Sequence, residues 1–405
     1  MPSKQAFAGL KVLAVARVYA APFAAYQLAL HGADVITIEE PGKGDSARAL
    51  GGEHAKDLVD QGLGPAFIAH GANKTSITLN LRKPEGQEIF RRLARDADIV
   101  IENLRTGDME RYNLGYATLS AANPRLIYAS LTGYGQTGPK RRDAAIDIVI
   151  QAASGMMGIT GSPESGPVKV GAAVIDYISG LSLTAGILTA LHHRSQTGEG
   201  QQVDVSMLES ALVAMSAIVS DVQNAGLKPA LMGNRTANNM PVANSLMCSD
   251  VPVVISATNP DRRKKLFDAM GRQDLLEDPR FATPQLLRRN WKDIYAEMEK
   301  TLKTRTAAQW EDLLNRAGVP CMRVHSLAEA AGSEQIRSRG LYHSFERIPG
   351  ADRPISIPLA PFKLSRNEPH IHLPPSQLGA HTEAVLLAAG YSEADIRRLR
   401  ESEVI

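Results

Sequence analysis

The run GAAVIDYISG, residues 171–180, holds a single carboxylate, Asp176, among small and apolar side chains. An apolar helix is expected after it, over LSLTAGILTALHHR (181–194), and a turn and short strand before it, over ESGPVKV (164–170). Asp is a favoured N-cap, because its oxygen accepts a bond from the first free N–H groups of a helix. Position 179 is Ser, which leaves no Glu or Gln to complete a capping box. Capping is therefore the plainest role for Asp176, and the rest of the chain must decide whether it does more.

Other groups could also act on a substrate. Basic residues cluster at NLR (103–105), PKRR (139–142) and RRKK (262–265). Arg and Lys supply charge-assisted bonds to phosphate. The first two clusters follow expected strands, at the sheet edge where open α/β sheets bind ligands. They read as anion-binding, and RRKK as a solvated helix face. His192 and His193 are adjacent on a helix and point apart. His370 and His372 lie in a Pro-rich segment. Neither pair has a cysteine or carboxylate at ligand spacing, so no metal site is expected.

These residues need elements to carry them. GLKVLAVA (9–16), ADVITIEE (33–40), IVIEN (99–103) and RLIYASLTGYG (125–135) read as strands. PFAAYQLALHG (22–32) and the amphipathic KPEGQEIFRRLARDAD (83–98) read as helices. Such alternation predicts βαβ units and a mostly parallel sheet. The stretch 224–245, rich in Asn, Gly and Pro, reads as a linker. Beyond it come a strand (251–258), charged helices, Pro-rich strands around RPISIPLAPF (353–362) and a helical tail from His381.

The parallel start invites a dinucleotide site, yet ARVYAAPFAAY after the first strand lacks the glycines that let backbone approach a pyrophosphate. Walker-type loops and a Gly-x-Ser-x-Gly elbow are also missing from the sequence. The 405 residues are 44% hydrophobic and 22% charged, with a net charge of +2, which favours neither nucleic acid nor a membrane surface as partner. The two cysteines, Cys248 and Cys321, fit a reducing compartment rather than a disulfide framework. The N-terminus lacks a signal-peptide pattern, and the apolar run 181–191 is short for a membrane span. A cytoplasmic location is expected.

Taken together, GLKVLAVARVYAAPFA (9–24), HGADVITIEEPGKGDSAR (31–48), NKTSITLNLRKPEG (73–86), ADIVIENLRTGDMERYNLGYATLSAANPRLIYASLTGYGQTGP (97–139), DIVIQAASG (147–155) and LGAHTEAVLLAAG (378–390) resemble the class III CoA-transferases, the CaiB/BaiF family that includes formyl-CoA transferase. The resemblance is strong over about residues 9–220 and moderate over 315–400. It implies a Rossmann-like large domain, a smaller α/β domain and an interlocked homodimer. The expected division is residues 1–220 for the large domain with CoA site and nucleophile, 221–315 for linker and small domain, and 316–405 for a segment returning to the large domain.

The resemblance also implies a reaction. Asp176 falls on the family's nucleophile, and CoA would pass from an acyl-CoA thioester to a free carboxylic acid through an aspartyl-CoA thioester. A helix N-terminus would hold Asp176 ionised, and backbone N–H groups there would stabilise oxyanions. Asp147 matches a second acidic position near the nucleophile, with a structural role at a helix start as the even alternative. Tyr19 joins these as a catalytic candidate. Val18 and Ala20 match the segment lining CoA, and Asn73, Lys74, Asn103, Leu104, Arg105 and Arg111 match positions holding its nucleotide and phosphates. The CoA thioester is a substrate, with no tightly bound cofactor.

Three departures matter. Glu40 stands where many members carry Arg, ISATNPDRR lacks the glycines of the loop that closes over the nucleophile, and Tyr19 replaces a Gln. The last implies an acid other than oxalate. A dicarboxylate, with a succinyl-CoA-type donor, is favoured because Arg17 and Tyr19 offer a cation and a hydroxyl. The sister α-methylacyl-CoA racemases use a His where this chain has Ile146, which cannot carry a proton. A CoA-binding protein without turnover is the remaining alternative.

Overall fold

The computed structural model describes residues 5–235 and 242–405. Residues 236–241 of the expected linker lie outside the described residues. The chain forms two compact units. The first comprises residues 1–154, 171–215 and 337–405, and the second 155–170 and 216–336. Residues 155–170, 216–220 and 316–336, assigned from sequence to the large domain and its returning segment, thus cluster with the second unit.

The first unit is built on six parallel strands: β1 (Lys11–Val15), β2 (Asp34–Glu39), β3 (Lys74–Thr78), β4 (Ile99–Glu102), β5 (Ile127–Thr132) and β6 (Gln202–Ser206). Their order is β3-β2-β1-β4-β5-β6. β1 pairs Lys11 with Asp34 of β2 on one side and Val12 with Ile99 of β4 on the other. The chain leaves β1 towards one edge and later resumes at β4 towards the other. The carboxyl ends of β1 and β4 therefore form a topological switch point, where open α/β sheets bind ligands. Four expected strands match this sheet, with β1 and β4 apolar and buried as central parallel strands require.

Apolar patterning passes over β3 and β6. β3 reads KTSIT, yet it is buried, because the C-terminal segment covers its open edge. Ser76 O accepts from His381 N–H at 3.0 Å, and Thr78 N–H donates to Thr382 Oγ1 at 3.0 Å. Partners some 300 residues away thus satisfy a polar strand. β6, QVDVS, is an edge strand that alternates in exposure. The short strand expected over 164–170 reduces to Gly166–Pro167.

Four helices position the site: α1 (Ala20–Leu30), α2 (Asp147–Ala153), α3 (Val174–Thr197) and α4 (Met207–Ala214). α1, AAPFAAYQLAL, is apolar all round and almost wholly buried, as such a helix must be. α3 reaches 24 residues rather than the apolar stretch read from sequence, and by length and composition it could cross a membrane. Here it packs on α1, α4, β5 and β6. Ile175, Ser179, Gly180, Leu183, Ile187, Ala190 and Arg194 form its buried stripe, and Arg194 pairs with Asp98 at 3.0 Å.

The second unit is built on a sheet of three antiparallel strands, β7 (Ala243–Met247), β8 (Pro252–Ser256) and β9 (Cys321–Arg323), with β8 central. Helices Pro260–Met270, Trp291–Leu302 and Ala307–Arg316 close its core around Phe267, Met298 and Trp310. Cys248 and Cys321 are free and buried there. Within RRKK, Lys264 and Lys265 make helical ion pairs with Asp268 and Asp261, as a solvated face does.

Candidate active site

α3 starts at Val174, so Asp176 lies inside its first turn and its side chain makes no cap bond. The cap comes from α2. Oδ2 of Asp147 accepts from the Ile175 N–H at 2.7 Å and from the Asp176 N–H at 3.2 Å. Gln151 Nε2 donates to Oδ1 of Asp147 at 2.5 Å. The capping role expected of Asp176 is thus filled by Asp147, which frees the Asp176 carboxylate. The same contacts alter a second expectation. The N–H groups of residues 175 and 176 are engaged by Asp147 rather than open to an oxyanion.

Burial raises the Asp176 carboxyl to about 7, with the negative charge of Asp147 adding to the effect. The helix N-terminus favours an ionised carboxylate, but desolvation and a like charge outweigh it. Asp176 is therefore poised between protonation states near neutrality, which differs from the permanently ionised group expected from its residue type.

An aromatic cluster borders this helix end. The Tyr177 ring lies 5.2 Å from Phe23, 5.6 Å from His70 and 6.4 Å from Tyr19. His70 is buried, and desolvation pushes its pKa down to about 3, so it stays neutral. Tyr19 is the residue before α1 and makes no side-chain cap bond. Ala20 is buried directly after it. α1 and α3 approach closely here because of Gly180, where a Cβ would meet Ala20 O at 2.6 Å. The last glycine of the GAAVIDYISG run is thus a packing requirement, whereas Gly171 faces open space.

The expected CoA-binding residues divide into two groups. Val18, Asn103, Leu104 and Arg105 lie at the switch point, in the loops that leave β1 and β4. Asn103 spends its amide on backbone, accepting from Arg17 N–H and donating to Arg17 O, both at 2.9 Å. The Leu104 N–H donates to Glu102 at 2.9 Å, and Arg105 is exposed. Arg111 is exposed, paired with Asp108 at 3.0 Å and placed over the Tyr112 ring. A cleft of about 100 Å³, lined in part by Arg17, Glu40, Arg82, Leu104 and Tyr112, opens beside these loops. Glu40 draws Arg82 to 2.7 Å, Lys43 to 3.2 Å and Arg17 to 3.5 Å. Cations thus gather where the expected Arg is replaced.

Asn73 and Lys74 form the other group, and they are buried. Asn73 Oδ1 accepts from the N–H groups of His372 and Leu373, and its amide donates to His370 O at 2.8 Å. Lys74 Nζ donates to Pro22 O at 2.8 Å, and burial lowers its pKa to about 7. These side chains hold the returning C-terminal segment and α1, so the phosphate contacts expected of them do not fit their geometry. A partly open pocket beside Lys74 and His70 offers about 20 Å³, roughly the space of one water molecule.

Sequence reasoning missed Tyr177, in the aromatic cluster, and Asp45, whose carboxylate accepts from the Val18 N–H at 3.0 Å. The first had its adjacency to Asp176 as a signal, and the second its place in PGKGDSAR. Among the described residues no group of three or more His, Cys, Asp or Glu is arranged to hold a metal. The exposed His192 and His193 bond to neighbours one helical turn on.

Known proteins resemble this chain over most of its length. The model of CoA-transferase family III matches residues 7–382. A succinate–glutarate CoA-transferase of Agrobacterium fabrum is 34% identical, covering 95% of this chain and 96% of its own. An acetyl-CoA:oxalate CoA-transferase of Acetobacter aceti is 37% identical, covering 84% and 85%. The crystal structure of a CaiB/BaiF family protein from Brucella suis superposes with a TM-score of 0.84 at 31% identity, covering 96% of this chain and all of that one.

Proposed function

The chain belongs to CoA-transferase family III, and we propose that Asp176 is its nucleophile. CoA passes through an aspartyl-CoA thioester from an acyl-CoA to a free acid. What carries this reading is the Asp176 carboxyl itself. It is uncapped, half-buried and raised to about 7, on the helix end that Asp147 anchors.

The steps balance without a net proton. An Asp176 oxygen attacks the thioester carbonyl, the C–S bond breaks, and CoA leaves as thiolate, which leaves a mixed anhydride on Asp176. The thiolate attacks the aspartyl carbonyl, the anhydride C–O bond breaks, and the donor acid departs as carboxylate. The acceptor carboxylate then attacks the aspartyl-CoA thioester, and the same two steps run backwards. This covalent route divides one hard exchange into easier ones. Thioester is exchanged for thioester, so the reaction draws on neither ATP nor a metal for energy.

The ionised form of Asp176 is the reactive one. Asp147 contributes by holding the first turn of α3 and by its charge, which makes the Asp176 carboxylate a stronger nucleophile. The Tyr19–Tyr177 pair forms an aromatic wall beside it, and the cations around Glu40 lie where the loops of the switch point would meet CoA phosphates. A dicarboxylate is the favoured acid: Tyr19 stands beside the nucleophile's helix, and Arg17, which pairs loosely with Glu40 at 3.5 Å, is two residues away. The names of the relatives, which include glutarate and oxalate, keep both acids among the acceptors to test. Two copies associate as a homodimer in this reading.

The test is acyl exchange. Purified protein is incubated with succinyl-CoA and a panel of mono- and dicarboxylic acids, including glutarate and oxalate, and all CoA thioesters are resolved by mass spectrometry. A new thioester is expected, and it should vanish in Asp176→Ala. Exchange that survives this substitution would remove Asp176 as nucleophile. Failure with succinyl-, acetyl- and formyl-CoA alike would favour CoA binding without turnover.

A further inference from the structure

The turn between β1 and α1 is made by a residue ill suited to it. Val18 has a φ of +63°, a region in which β-branched side chains are outliers. Residues held this way persist only where their surroundings over-determine them, and they gather at functional sites.

The restraint on Val18 is visible. Its N–H donates to both carboxylate oxygens of Asp45, each at 3.0 Å. The peptide groups just before it are bridged by Asn103, which grips Arg17 N–H and Arg17 O. Loops from β2 and β4 thus clamp the loop from β1 from two sides of the switch point. Asp45 is itself fixed. It is 6% exposed, its N–H donates to Glu39 Oε2 at 2.9 Å, and its Oδ1 accepts from Ala47 N–H at 3.0 Å. Glu39 in turn takes two bonds of 2.7 Å from Arg48 and one of 2.9 Å from Ser76 Oγ. This buried network holds the Asp45 carboxylate against the Val18 N–H while its Oδ1 also caps the turn at Ala47.

The residue that the turn releases is Tyr19, whose ring meets Tyr177 next to Asp176. We propose that Asp45 is a positioning residue for the transfer reaction: by holding Val18 in the left-handed turn it sets Tyr19 and the start of α1 against the Asp176 end of α3. The proposal rests on the CoA-transferase reading of Asp176. It concerns the acid-binding side of the site, where Tyr19 stands, rather than the chemistry of the aspartyl thioester.

A double-mutant cycle separates this role from general stability, because glycine adopts a positive φ without steric penalty. Asp45→Ala in the otherwise unchanged enzyme should lower kcat/KM for the acceptor acid roughly ten- to a hundred-fold, the scale of a misplaced positioning group. The same substitution made in a Val18→Gly background should lower it no more than about threefold, since the turn then needs no clamp. Equal losses in both backgrounds would overturn the proposal, as would no loss in either. If Asp45→Ala does not fold, Asp45→Leu, which keeps most of the volume and removes the acceptor, replaces it in both backgrounds and is judged by the same ratio of losses. A crystal structure of the Asp45 variant gives a readout independent of turnover. Val18 leaving the positive-φ region with a changed Tyr19–Tyr177 separation is expected, and an unchanged turn would overturn the clamp. An unmodified protein that exchanges no acyl group would count against the transferase reading, with the structural readout still deciding the clamp.

Discussion

At Asp176 a helix N-terminus and a buried, like-charged surrounding pull in opposite directions, and the surrounding wins. The consequence is a pH dependence. The carboxylate must be ionised to attack, so kcat/KM for exchange should fall about tenfold per pH unit below the Asp176 value and level off above it. That value is about 7. Asp147→Asn retains an oxygen for the Ile175 N–H but removes the charge. The midpoint should then move to lower pH by roughly one unit, and a midpoint that stays in place would show that Asp147 acts only through geometry. The stability effect has the opposite sense. The fold raises the Asp176 carboxyl above its ordinary value, so it favours the protonated form. The contribution is fully present below the ordinary carboxylate range and is lost as pH rises through about 7. Melting temperatures of Asp176→Asn should accordingly decline less between pH 5 and 8 than those of the unmodified protein.

At the scale of elements, the site depends on how closely α1 and α3 approach. Gly180 sets that distance. A methyl group there would overlap Ala20 O and Phe23, and overpacking of this kind costs roughly 1–3 kcal/mol. Gly180→Ala should lower the melting temperature and reduce exchange, because the start of α1 carries Tyr19. Gly171→Ala provides the comparison within the same ten residues. It faces open space without a positive φ, and its stability should match that of the unmodified protein. Equal losses in the two variants, by thermal unfolding and exchange rate, would show that helix approach at Gly180 is not what matters. The division of labour between helices follows the same logic. α2 supplies the cap, α3 the candidate nucleophile and Tyr177, and the turn into α1 supplies Tyr19, so a shift of any one changes the site.

At the scale of the whole molecule, the first unit exposes large apolar side chains on α2, α3 and α4. Ile146, just before α2, is 64% exposed, Leu212 on α4 37%, and Leu181 and Leu188 more than two-fifths each. The homodimer proposed above would give this surface a partner. Sedimentation equilibrium should return twice the 43.6 kDa of one chain. Combining Leu181→Glu with Leu188→Glu should shift the protein to its monomer mass. A monomer before substitution would remove the dimer from the reading. The ion pairs around Glu40 belong to this scale as well, since they join residues from loops that begin at β1 and β2 with Arg82 after β3.

What could be read from the sequence alone was whatever rests on local pattern. The apolar runs of β1, β2, β4 and β5 announced a parallel sheet, and the motif set from GLKVLAVARVYAAPFA to LGAHTEAVLLAAG pointed to the CoA-transferases. Tertiary structure decided whatever rests on partners distant in the chain. β3 is polar and stayed hidden, because its edge is satisfied by residues 381 and 382. Asn73 and Lys74 looked like phosphate ligands by motif, but their hydrogen bonds are spent on residues 370–373 and on Pro22. Asp176 looked like a cap by position, and the cap proved to be Asp147, 29 residues earlier. Hydrogen bonds and burial are settled by which groups meet in space, and a one-dimensional pattern records only which groups are available to meet.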